Sequence, residues 1–494
     1  MISANLQEIP YVIDKQNQRN MGSTIAELIF IPSPDIGHFV SAVEMAKLLV
    51  NRDQRLSITI LVIRHPGASA GPVVTPIDRI SFVQLPQESP SVMEPKSPFA
   101  IFTKFIPSHC KHVTNVVADM INQPRSVPIA GFVIDMFCAC MIDVANEFNI
   151  PTYLFFTSGA AALGFKFHVQ TLSDDMNKDV FELSTSDTEI SVPTYVNPLP
   201  TKHFWNLVRS REGVEFVLSS ARKFRGIKAI MVNTVFELET YAMEALSADK
   251  TIPRVYPVGP VLNLNGKPFE DDILRWLDNQ PPSSVVFLCF GSMGSFVESQ
   301  VKEIARGLEQ SGYRFLWSLR RPPPDKKPPV PGEYEDPSVV LPEGFLERTR
   351  EIGKVIGWAP QVAALAHDAV GGFVSHCGWN SVLESLWFGV PLAAWPMYAE
   401  QQMNAFEMVV DLGLAVEIKL DYKNNIFNRK DTTNATSNVT AKEIENGIRR
   451  VMEDKEVRTK VKETSAKSRS AVAEGGSSYA SVSSLIEDFI KNVN

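Results

Sequence analysis

Positive charge is in short supply in this chain. It has 48 Lys and Arg against 56 Asp and Glu, a formal net charge of −8 over 494 residues. No basic stripe breaks that balance, which argues against nucleic acid as the main partner. An acidic protein that binds an anion must make its positive potential locally. Helix N-termini do this without extra Lys or Arg. Cysteine is scarce as well: Cys110, Cys138, Cys140, Cys289 and Cys377, an odd count, mostly in apolar runs. That speaks against a disulfide framework and fits reduced thiols in a reducing compartment, so a cytoplasmic location is expected. Cys138 and Cys140 make one C-x-C pair with no second pair to complete a zinc site, and no metal is expected there. No apolar run reaches the roughly 18 residues of a spanning helix, so stable membrane insertion is not expected. The opening residues lack the apolar core of a secretory signal. No G-x-G-x-x-G follows a strand pattern and opens a helix, which removes the fingerprint of a nucleotide-dependent oxidoreductase.

What the chain does have is a repeated alternation. Its length suggests two domains, and 44% hydrophobic against 21% charged residues suits a globular protein. Residues 1–20 read as a polar extension. From there AELIFI (26–31), SITILVI (57–63), IAGFVID (129–135) and PTYLFF (151–156) read as buried strands, with a helix over 38–51. Continuous apolar runs alternating with helices indicate a parallel sheet covered on both faces. The pattern pauses at TIPRVYPVGPVLNLNGKP (251–268), which reads as an interdomain linker. It restarts with strands over 284–290, 313–319, 354–358, 369–376 and 390–395 and a helix over 299–311. Segments 320–337 and 420–438 read as surface loops. A last helix, 478–492, has apolar positions at Val482, Leu485, Ile486 and Phe489 and is expected to pack on another element, across the domain junction. The expected fold class is therefore α/β, with two Rossmann-like domains of parallel sheet facing a cleft. Their bounds are 21–250 and 269–477, followed by a C-terminal helical segment over 478–494. Ligands of such sheets bind beyond the carboxyl ends of the strands.

The most informative stretch runs from Trp358 to Gln401: WAPQVAALAHDAVGGFVSHCGWNSVLESLWFGVPLAAWPMYAEQ. In HCGWNS, LES, GVP, WP and EQ it resembles, almost residue for residue, the secondary-product signature box of plant family 1 UDP-glycosyltransferases. IPSPDIGH near the N-terminus and FGSMGS at 290–295 extend the resemblance over most of the chain. The resemblance implies the two-domain inverting fold called GT-B. It also implies transfer of glucose from UDP-glucose, a co-substrate, to a hydroxyl of a small acceptor.

The residues can be read beside that resemblance. The chain turns at His376, Cys377 and Gly378 and enters a helix near Trp379, with Asn380 and Ser381 in its first turn. Free N–H groups and the helix dipole there suit a pyrophosphate, and His376 can add a donor. Glu384 lies one turn on. It reads either as a helix N-terminal charge stabiliser or, by the resemblance, as the partner of the ribose hydroxyls. Trp358 and Trp379 are each ambiguous with core residues. The resemblance stacks Trp358 on uracil and sets Trp379 beside the sugar–phosphate portion. It gives Ala359 backbone bonds to the base, places Gln361 near the ribose, and makes Ser292 a phosphate contact. Glu400 and Gln401 supply charged and neutral groups for sugar hydroxyls. The family often has Asp where this chain has Glu400, and Gln at position 401 goes with glucose users. Thr157 resembles the contact to the sugar's 6-hydroxyl.

His38 follows the Pro-Ser-Pro-Asp-Ile-Gly loop, and Asp135 closes an apolar strand. Taken alone, His38 reads as structural and Asp135 as a helix N-cap. Together they resemble the family's catalytic dyad, in which a neutral imidazole takes the acceptor's proton while the carboxylate orients it. No D-x-D motif is present, so a metal-independent displacement giving a β-O-glucoside is expected. Gly37, Phe137, Phe156, Phe204 and Trp205 are candidate acceptor-binding residues, though the aromatic ones fit a core equally well. The opening IPSPDIGHFVSAVEMAKLL looks similar to a plant group that glucosylates flavonoids, other phenolics and some terpenoids. A flavonoid or other phenolic acceptor is the expectation, with a monomeric enzyme. The rival readings are the same enzyme with another UDP-sugar, or a UDP-sugar-binding protein without turnover.

Overall fold

A computed structural model describes residues 25–64, 77–87, 99–124, 126–265, 268–323, 331–422 and 438–493. The polar extension of residues 1–20, and much of the two surface-loop segments, lie outside the described residues. The strands are β1 (Ala26–Ile31), β2 (Leu56–Val62), β3 (Ile80–Gln84), β4 (Ile129–Asp135), β5 (Thr152–Phe156), β6 (Glu189–Ile190), β7 (Leu199–Pro200), β8 (Ala229–Val232) and β9 (Arg254–Pro257). They continue as β10 (Val285–Cys289), β11 (Arg314–Ser318), β12 (Gly353–Ile356), β13 (Val370–Ser375), β14 (Leu392–Ala394) and β15 (Ala415–Glu417). One seven-stranded sheet has the order β3-β2-β1-β4-β5-β8-β9, and a six-stranded sheet has the order β12-β11-β10-β13-β14-β15. β6 and β7 pair antiparallel by themselves.

Both large sheets follow from the sequence pattern. Every residue of β1, β5, β10 and β13 is buried, as continuous apolar runs require when helices cover both faces. The expected strands appear within a residue or two of their ends. β9 falls inside the segment read as linker, so residues 254–257 belong to a sheet.

The chain divides into two compact units. The first comprises the described residues of Met1–Glu94, Lys104–Leu154 and Ser483–Asn494; the second comprises those of Pro95–Thr103 and Phe155–Val482. In the first unit, β1 pairs in parallel with β2 on one side and with β4 on the other. The expected last helix is present as Ser477–Lys491. Within the first unit, Phe489 packs edge-on against Tyr153 at a ring separation of 4.5 Å. Just past the helix, the Asn492 amide donates to the Ala130 carbonyl and the Tyr153 hydroxyl, each at 2.8 Å. In the second unit, the core centres on the six-stranded sheet, with Phe287 stacked on Phe373 and Trp395 fully buried.

Each large sheet has one position where the chain's winding reverses. In the first it lies between β1 and β4, and in the second between β10 and β13. Parallel sheets leave a crevice at such a point, beyond the strands' carboxyl ends.

Candidate active site

At the reversal in the first sheet, register places Ile31 beside Ile134, so the residues following β1 emerge next to the end of β4. The chain after β1 enters the helix Ile36–Arg52, capped by Asp35, whose carboxylate accepts from the Gly37 N–H at 2.9 Å. His38 therefore stands in a helix's first turn, one step beyond the loop the sequence suggests. Its Nδ1 lies 2.6 Å from Asp135 Oδ2. The other Asp135 oxygen accepts from the Phe137 N–H at 2.9 Å. Asp135 is 4% exposed, whereas His38 keeps 22%. A buried carboxylate needs such partners. The pairing sets the tautomer: Nδ1–H donates to Asp135, which makes Nε2 the acceptor nitrogen of the ring. Phe137 flanks the imidazole at a ring separation of 5.1 Å. Gly37 is a helix residue whose carbonyl accepts from the Ser41 hydroxyl at 2.9 Å.

At the reversal in the second sheet, Cys289 pairs with Ser375, so the loops holding Ser292 and His376 start side by side. Two glycines make room for the His376 ring. A Cβ on Gly291 or on Gly378 would sit 2.6 Å from its Nε2. His376 is 6% exposed, and its Nδ1 has no hydrogen-bond partner among the described residues. Burial pushes its pKa down to about 4, so at neutral pH it is an uncharged imidazole. Cys377 takes a left-handed φ of 60°, turning the strand into the helix Trp379–Phe388. That helix begins at Gly378, which offers no capping side chain, and ends at Gly389 with φ 70°. Its first N–H groups have no intrahelical acceptor. The His376 ring lies against Gly378 at that helix start, and a helix N-terminus of this kind suits an anion such as a diphosphate.

One turn along the helix, Gln361 joins two of the predicted residues. Its amide donates to Ser381 Oγ at 2.8 Å and to Glu384 Oε2 at 2.7 Å. Burial raises the Glu384 carboxyl to about 7, against the lowering effect of the Gln361 bond. Trp358 is 54% exposed, unusual for so large an apolar ring. The Arg320 guanidinium lies 4.9 Å over that ring, and the Trp358 N–H donates to Glu333 Oε1 at 3.0 Å. One face is thus supported by a cation, which leaves the indole suited to stacking a planar base. Ala359 beside it is buried, at 6%.

Glu400 is half-buried and accepts from the Ser158 hydroxyl at 3.2 Å. Thr157, next to Ser158, is buried. Gln401 is also buried, and its Oε1 accepts from the N–H groups of Met397 and Tyr398, both at 3.0 Å. Only its amide nitrogen remains for a sugar hydroxyl. Trp379 differs most from expectation. It is 3% exposed, and its indole N–H is committed to the Asn233 carbonyl at 2.7 Å, so its side chain is framework and its main chain opens the helix. Asn380 is half-buried in the same first turn. Of the acceptor candidates, Phe156 and Phe204 are 0% exposed and Trp205 is 2%. Phe204 packs edge-on to Phe165, and Trp205 lies against the Lys166 ammonium. These three are packing residues, while Phe137 stays half-buried beside His38. Ser158, Arg320 and Glu333 were not singled out by the sequence pattern. Only the adjacency of Ser158 to Thr157 offered a hint.

A family profile described as UDP-glucoronosyl and UDP-glucosyl transferase matches residues 84–461. A UDP-glycosyltransferase of Malus domestica is 52% identical over 94% of this chain and 99% of its own length. A UDP-glucose flavonoid 3-O-glucosyltransferase of Fragaria ananassa is also 52% identical, over 94% of this chain and 98% of its own. A Medicago truncatula relative solved with UDP-glucose superposes with a TM-score of 0.81 at 41% identity, over 94% of this chain and 98% of that one. The two-sheet α/β fold thus has a solved counterpart. The fold is GT-B, and the chain belongs to the plant UDP-glycosyltransferases of the UDP-glucoronosyl and UDP-glucosyl transferase family.

Proposed function

We propose that the chain transfers glucose from UDP-glucose to a hydroxyl of a small lipophilic acceptor, a flavonoid or other phenolic before a terpenoid, with inversion and without a metal. The observation that carries the reading is the 2.6 Å bond from His38 to Asp135. It makes Nε2 the basic nitrogen, which takes the acceptor's hydroxyl proton as that oxygen attacks the anomeric carbon. The new C–O bond forms as the bond from C1 to the diphosphate oxygen breaks, and UDP departs with the bonding electron pair. Asp135 balances the imidazolium, and the start of the Trp379–Phe388 helix balances the leaving charge. One displacement turns the α-linked donor into a β-O-glucoside. The flavonoid preference draws on the activity named for the Fragaria relative. The experiment is a panel of aglycones with UDP-glucose, read by mass spectrometry and by the anomeric coupling of the product. Absence of any glucoside, or an α-anomer, would overturn the reading.

Donor choice can be tested at Gln401. Gln401→Glu keeps an acceptor for the Met397 and Tyr398 N–H groups and removes the amide donor. UDP-glucose binding should weaken roughly 5- to 150-fold, the range of one lost buried hydrogen bond, while UDP binding holds. Paired titrations decide it, and equal weakening of both ligands would move the sugar elsewhere.

Activity should survive EDTA, because the diphosphate is assigned to helix N–H groups and His376. Complete loss under chelation, restored by Mg²⁺ or Mn²⁺, would contradict this.

A further inference from the structure

Residues 233–239 take no part in the chemistry above, yet they touch two parts of the donor site within the second unit. The Asn233 carbonyl accepts the indole N–H of Trp379, the first residue of the helix assigned to the diphosphate. Further along, Glu239 is 2% exposed, and its carboxylate accepts from the N–H groups of Ala160 at 2.9 Å and Ala161 at 2.7 Å. These residues open the helix Ala160–Asp174, directly after Thr157, Ser158 and Gly159. The N-cap residue there is Gly159, which cannot cap with a side chain, so Glu239 supplies the cap from a distant part of the chain.

The junction has no slack. A Cβ on Gly159 would lie 2.9 Å from both Glu239 Oε1 and the Trp379 ring. Ser158, one residue before, is bonded to Glu400. Glu239 also has support from behind. Glu407 is 4% exposed and hydrogen-bonds to Glu239. Burial first, and then the Glu239 charge, hold the Glu407 carboxyl well above the usual carboxylate range, so it serves as a protonated donor. Burial raises the Glu239 carboxyl as well, while bonds from Thr234, Ala161, Ala160 and Glu407 act to lower it.

We propose that Glu239 is a positioning residue for the donor sugar: it fixes the Thr157–Gly159 loop against Glu400 and Trp379, and so sets the sugar rather than the uridine. This rests on the reading that a UDP-sugar is the donor. Glu239→Gln is nearly isosteric but turns one amide N–H toward another. UDP-glucose should bind on the order of 10- to 100-fold more weakly, with kcat reduced, while UDP affinity stays within about twofold. A residue that only stabilised the fold would shift both ligands together or neither, and either result overturns the proposal. If the variant does not fold, the wild type still decides. Peptides covering 157–163 should exchange backbone hydrogen more slowly with UDP-glucose than with UDP, and equal exchange would refute the assignment. A wild type that used a different UDP-sugar would fail the functional reading. The same comparison run with that sugar would still decide this one.

Discussion

Replacing His38 with alanine should lower turnover on the order of 10²- to 10⁴-fold, the usual contribution of a positioned general base. UDP-glucose affinity should be unchanged, because the residues proposed to hold the donor lie on other elements. The measurement is single-turnover rate beside a donor titration. More than about a tenth of wild-type turnover would remove His38 from proton transfer. Asp135→Asn should cost less, since the imidazole remains. The Asn side chain still accepts from Phe137 with its oxygen, but it then presents an N–H to Nδ1. That favours the tautomer with its proton on Nε2, the wrong one for a base. Equal activity of this variant and the wild type would make Asp135 structural.

Glu384 should make donor binding depend on pH. In the free protein its carboxyl is raised to about 7 by burial. Ribose hydroxyls are donors and prefer the ionised form, so binding pulls the proton off. Affinity for UDP-glucose should therefore rise about tenfold from roughly pH 6 to pH 8, as the free enzyme ionises. UDP-glucose is the right probe, because its diphosphate has no group titrating in that window. His376, at about 4, is silent there too. Glu384→Ala should weaken UDP and UDP-glucose alike, by roughly 10- to 150-fold for lost bonds to a charged group. It should also flatten the pH profile. A variant that kept the slope would assign it to another group.

Much of this was legible in the residues, for reasons that differ by element. β1, β4, β10 and β13 are continuous apolar runs, and buried parallel strands must be. Their ends then locate both reversals, and with them His38, Asp135, Ser292 and His376. β9 was hidden by the prolines around it, which give the segment the look of a linker. β3 is partly exposed and β15 is only three residues long, so neither has a strong period. The inward turn of Trp379 could not be read, because a Trp at a helix start fits a ligand and a core equally well. Glu239 and Ser158 were invisible for another reason. Ser158 meets Glu400 across 242 positions of chain, and no local pattern encodes such a contact.

The return of residues 483–493 to the first unit sets a rule for building chimeras of this enzyme. A hybrid that takes its first half from a relative would also have to take that relative's final dozen or so residues. Otherwise the foreign Tyr153 and Ala130 equivalents would meet Phe489 and Asn492 evolved for a different strand. The same holds for affinity tags. Asn492 grips β4, the strand that ends in Asp135. A fusion placed just after Asn492 therefore pulls on the strand that carries Asp135.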